Sequence, residues 1–180
     1  MPSTSDPAVS WLEFADAALL ALVSSHATAR SADPATESTV TNAPDVDAAR
    51  ERFLASLDDV TQGFGALAHN AGLSAVECEL VAFVVACELD ARRQRLLGVV
   101  QDDPARTRPT LQTAGWLLGG LDRCAAAVGP SSRIRRAALL ELQTDGPWAQ
   151  QTLVVPAALV WAFLGDASPD PDLPEGTRSV

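Results

Sequence analysis

Apolar side chains recur at three- and four-residue intervals along most of this chain, and the places where they cease divide it into segments. After a polar tail over residues 1–8, the set Trp11, Leu12, Ala15, Leu19 and Leu22 predicts a first amphipathic helix from Val9 to Val23. Residues 24–44 turn to Ser, Thr, Ala, Asp, Asn and Pro with almost no large side chain, the composition of a mobile linker. Asp45 then offers an N-cap for a second helix, with Phe53, Leu57, Val60, Phe64 and Leu67 on one stripe. Gly63 and Gly65 weaken its last turns, by about 1 kcal/mol each relative to alanine.

The pattern tightens after Gly72. Ser74-Ala75-Val76-Glu77 has the spacing of a capping box, in which hydroxyl and carboxylate satisfy each other's free backbone N–H groups. Leu73, Val76, Leu80, Phe83, Val84 and Cys87 follow on one helical face. Asp90 can cap the next helix, which holds Leu96, Leu97, Val99 and Val100 and stops near Asp102-Asp103-Pro104. Arg108-Pro109-Thr110 opens a third, with Leu111, Ala114, Trp116 and Leu118, closed by Gly119-Gly120. A short helix over Leu121–Val128 and a turn through Arg133–Arg136, capped by Ser131, come next.

Period two then replaces the helical period. Leu140-Glu141-Leu142-Gln143 reads as a strand, Thr144-Asp145-Gly146-Pro147 as a turn and Gln151–Val155 as a second strand. Pro156 suits the first position of a last helix running to Leu164, and residues 166–180 form a flexible exit. Three helices followed by a two-stranded hairpin are the order of a winged-helix domain. The expected fold is therefore mainly α: a winged helix over residues 73–165 with a small β-hairpin wing, preceded by an N-terminal helical extension over residues 9–72.

Composition narrows the chemistry. All 13 basic residues are arginines, tyrosine is absent, and the histidines are His26 and His69. Without lysine there is no P-loop, no Schiff base and no serine–lysine dyad. A net charge of −10 argues against general nucleic-acid binding by the whole chain. Cys78, Cys87 and Cys124 lack metal-ligand spacing, and the first two fall about 180° apart on a helix, so reduced, partly buried thiols are expected. Neither histidine has a partner at ligand spacing, and both read as solvated. Glu77 is explained by capping and Asp102-Asp103 by the end of a helix. No catalytic, cofactor-binding or metal-ligating residue is assigned. With no signal-peptide pattern and no apolar run near about 20 residues, the chain reads as soluble and cytoplasmic, away from membranes.

Charge is unevenly spread. Residues 90–136 hold nine arginines against four acids, a local +5. Arg92, Arg93 and Arg95 on one helix, and Arg133, Arg135 and Arg136 ahead of the first strand, are candidate partner-binding residues. They could hold DNA phosphates or pair with the acidic remainder. The candidate third helix, Pro109–Leu118, offers only Thr110, Gln112 and Thr113 to a base edge. Trp116 and Trp161 fall on helical stripes and are expected in the core. Trp148, at the hairpin turn, is either an exposed anchor for a protein partner or folded back on the sheet.

The run Leu89-Asp90-Ala91-Arg92-Arg93-Gln94-Arg95-Leu96, with Gln101-Asp102-Asp103 and Arg108-Pro109-Thr110 behind it, resembles the winged-helix region that precedes the motor in certain bacterial AAA+ ATPases. Such ATPases often come from gene clusters for contractile injection systems. The likeness extends more weakly from about Leu73 to Leu164, roughly half the chain, with Ala91 and Arg93 where the family commonly has Pro and Tyr. It implies a non-catalytic N-terminal domain that recruits or positions a protein substrate or adaptor. ATP, Mg and a hexameric ring would belong to a motor module following the flexible exit. The alternative reading is a winged-helix DNA-binding regulator using the arginine-rich region.

Overall fold

Helix α1 (Pro7–Arg30) buries Trp11, Phe14, Ala15, Ala18 and Leu19 along one stripe. In this computed structural model, which describes residues 7–30, 45–61 and 63–166, the helix does not stop at Val23. Its small polar residues are satisfied internally. Ser24 donates to the Leu20 carbonyl and Thr28 to the Ser24 carbonyl, so the composition that resembled a linker continues the helix. The linker expected from residue 24 is corrected to that extent. Its remainder, and most of the two expected flexible ends, lie outside the described residues.

Asp45 caps helix α2 (Val46–Ser56), accepting from the Ala48 N–H at 3.0 Å. The expected continuous stripe from Phe53 to Leu67 is two helices. α3 (Gly63–Ala71) starts afresh at Gly63, whose φ of +59° is left-handed and cannot continue a right-handed helix. Val60, between them, is exposed. α2 lies along α1: the Ser10 and Ser56 hydroxyls meet at 2.7 Å, and the Phe14 and Phe53 rings stack 5.4 Å apart.

Helix α4 (Ala75–Leu89) opens on the complete capping box, with the Ser74 N–H donating to Glu77 at 2.9 Å. Every residue from Glu77 to Cys87 is buried, as a helix apolar on all sides requires. Around it come α5 (Ala91–Val100), capped by Asp90, and α6 (Leu111–Leu118), capped by Thr110 and ended by left-handed Gly119. Then follow α7 (Leu121–Val128) and α8 (Arg133–Arg136). The cap of α8 is Ser132, which accepts from the Arg135 N–H, and not Ser131.

The one sheet among the described residues is small and antiparallel, β1 (Glu141–Gln143) against β2 (Thr152–Val154), with Leu142 opposite Leu153. The free edge of β2 takes the segment before α6. Thr110 bridges Thr152, and the Leu153 N–H donates to the Pro109 carbonyl at 2.9 Å. Proline fits there because only its carbonyl is used. Finally α9 (Ala157–Phe163) returns to the start of the chain, its Phe163 ring 5.1 Å from Trp11 and 5.5 Å from Phe64.

The protein is thus mainly helical with a small two-stranded sheet. One apolar core runs from Trp11 through Phe83 to Val155, so the N-terminal helices share the core of the later ones. Two core expectations fail. α6 buries Leu111, Ala114, Leu117 and Leu118, and α9 turns Leu159, Val160 and Phe163 inward. Trp116 and Trp161 are left outward, 47% and 57% exposed.

Candidate functional site

The arginines that looked like one patch are sorted by their partners. Arg93 grips both Asp16 carboxylate oxygens, at 2.7 and 3.0 Å, and donates to the Ala86 carbonyl, which ties α5 to α1. The bond to Asp16 outweighs the opposing effect of burial and raises the Arg93 pKa, keeping its charge in place. Arg133 meets Glu77 twice, through its backbone N–H at 3.0 Å and its guanidinium at 3.4 Å. Arg106 pairs with Asp103, and Arg108 spans both oxygens of Glu88. Three of the nine arginines are therefore met by acids from outside residues 90–136, namely Asp16, Glu77 and Glu88, while Arg106 pairs within the segment.

Arg92, Arg95, Arg135 and Arg136 are exposed and have no acid partner among the described residues. They do not form a single surface. Arg92 and Arg95 follow the C-terminal end of α4, whereas Arg133–Arg136 sit at its N-terminal end beside Glu77. Helix α4, 15 residues and about 22 Å long, lies between the points where the two groups attach.

At the Arg133 end lies an open cleft of about 330 Å³. Val76, Ala126 and Ala127 line it, together with Arg123 from α7 and Arg133 from α8. Burial pushes the Glu77 carboxyl up, but hydrogen bonds from Ser74 and Arg133 outweigh it and hold the group below its ordinary value. Glu77 is thus an anion that helps fix Arg133. No spacing rule connects these two residues, and sequence reasoning missed them as a pair.

A second groove, of about 560 Å³, runs between the end of α1 and the α6–α7 turn. Leu22, His26, Ala29 and Trp116 line it over Gly115 and Gly119. His26 is not solvated. Its Nε2 is buried 3.2 Å from an Asp102 carboxylate oxygen, an ion-pair distance without a hydrogen-bonding angle. Asp102 also takes Arg30, so α1 is held to the end of α5.

Trp148 stands outward at 44% exposure, on a single 3-10 turn (Trp148–Gln150) between the strands. Of the four tryptophans only Trp11 is buried. The three cysteines are buried throughout rather than partly. Burial pushes the Cys78 and Cys87 thiols up to about 12 and the Cys124 thiol to about 11, which leaves them protonated and unreactive. Among the described residues no His, Cys, Asp or Glu group gathers as a metal-ligand set, and no helix is long and apolar enough to cross a membrane.

The segment from Asp90 to Thr113 is tied together by its own polar groups. Gln101 accepts from the Thr110 N–H at 3.2 Å and the Thr113 hydroxyl at 3.1 Å, and it donates to the Arg106 and Arg108 carbonyls. Asp90 caps α5, and Asp103 holds the Ala105 N–H and the Arg106 side chain. The segment is an architectural knot joining α5 to α6. No protein-family model, curated protein or solved structure matches the chain.

Proposed function

We propose that this chain is a non-catalytic docking domain of the winged-helix type, the N-terminal domain of an AAA+ ATPase. It recruits or positions a protein substrate or adaptor for the motor. The observation that carries this reading is the outward placement of Trp116, Trp148 and Trp161, three of the four tryptophans, among the exposed apolar side chains. Single exposed apolar residues are ordinary, but tryptophan is the costliest to leave in water and the most effective anchor in an interface.

The winged-helix assignment is supported by the element order. α6, the tight Gly119-Gly120 turn and α7 make a helix-turn-helix, followed after α8 by the β1–β2 hairpin, with Pro109–Leu111 along β2. In that arrangement the groove-facing position belongs to α7 rather than to Pro109–Leu118. α7 carries one basic side chain, Arg123, beside the acid Asp122. That is a poor base reader, and the separation of the free arginines favours protein over DNA. By the resemblance, ATP and Mg act in a hexameric motor module, and a contractile injection system is the client.

The test is capture from a lysate of the source cell on immobilised wild-type chain and on a W148A/W161A variant of equal thermal stability. A discrete protein retained by the wild type and lost by the variant is the expected result. Equal capture by both, or retention of nucleic acid alone, overturns the reading.

A further inference from the structure

The cleft between α4, α7 and α8 has the chemistry of a seat for one kind of peptide. Val76, Ala126 and Ala127 give it an apolar lining, and Arg123, Arg133, Ser74 and Glu77 a polar one. Glu77 cancels Arg133 from within and Asp122 neighbours Arg123, so the surplus positive charge comes from Arg135 and Arg136, which lie outside the cleft lining but are exposed on the short helix α8 that supplies Arg133. Arg123 is steadied by donating to the Leu118 carbonyl at 3.1 Å. On a molecule of net charge −10 this is one of two places where exposed arginines without an acid partner gather, the other being Arg92 and Arg95.

We infer that this cleft binds an acidic segment of the protein partner that also carries an apolar side chain. Carboxylates meet Arg123, Arg135 and Arg136, and the apolar group covers Val76, Ala126 and Ala127. The inference rests on the docking reading and gives it a place and a partner chemistry. A nucleic acid fits less well. A duplex presents phosphate along its whole length and nothing to cover an apolar lining, and the other free arginines, Arg92 and Arg95, stand at the far end of α4.

Fluorescence anisotropy decides between them. The probe is a short fluorescein-labelled peptide alternating Glu or Asp with Leu, titrated with the full chain. Its controls are the same peptide with Ser for Leu, and a short DNA duplex. Charge reversal in R123E/R136E, which spares the Arg133–Glu77 pair, is expected to weaken the leucine peptide about tenfold or more. A126D, placing a carboxylate in the apolar lining, is expected to act in the same direction. R92E/R95E, the same charge change at the far end, is expected to stay within about twofold of wild type.

Absence of binding by the leucine peptide overturns the inference. So does equal loss in R92E/R95E, or equal binding of the serine peptide or the duplex. Failure here with tryptophan-dependent capture intact removes only the cleft assignment. Loss of that capture as well removes the docking reading itself.

Discussion

The two ends of the chain use the same kind of side chain in opposite ways. Near the start of α1, Trp11, Phe14, Phe53 and Phe64 form a chain of ring contacts between 5.2 and 5.9 Å, closed by Phe163 from α9. Three helices and the returning α9 surround them. In the region from 141 to 164, Trp148 and Trp161 have no such enclosure. The strands are three residues long, and α9 has no fully buried residue. Aromatic identity does not decide burial. The number of elements that converge on the position does.

The contrast can be broken most forcefully at Phe53, which is fully buried. F53A is expected to lose about 3–5 kcal/mol in urea unfolding, the cost of a large aromatic deleted from a closed core. Next comes Gly65, where an added Cβ would fall on the Asp59 backbone carbonyl. G65A should cost about 1–3 kcal/mol and is measured the same way, since backbone cannot move aside as a flexible side chain can.

E77Q is expected to lose about 1–2 kcal/mol near neutral pH, because it weakens the capping box and the Arg133 contact together. The folded-state pKa of Glu77 is lowered, so its stabilisation is present above the ordinary carboxylate value and disappears as pH falls through the lowered one. Denaturation midpoints of wild type and E77Q should therefore converge in acid and be furthest apart near neutrality. The smallest effect belongs to the other side of the comparison. W148A and W161A should each change stability by less than about 0.5 kcal/mol, as exposed substitutions do. A loss near that of F53A would show that these rings serve the fold.

What could be read from the sequence was local. Asp45, Ser74 with Glu77, and Asp90 each cap their helix within three residues, and spacing alone reveals that kind of bond, whereas Thr110, expected inside its helix, is its cap. The turn residues and the period-two strand were legible for the same reason. What could not be read were pairings across the fold. Arg93 finds Asp16 over 77 residues, Arg30 finds Asp102 over 72 and Arg133 finds Glu77 over 56. A charge count along the chain therefore overstated the basic patch. Helical period placed Trp116 and Trp161 on stripes, but these short helices each have several apolar faces, and only packing selects which one turns inward.

On the docking reading the outward tryptophans meet a protein partner. It is tested most directly by comparing lysate capture on the wild-type chain and on W148A/W161A, after equal melting temperatures have been established. One protein species held by the wild type and missing from the variant is the expected result. The same species held equally by both would contradict that reading.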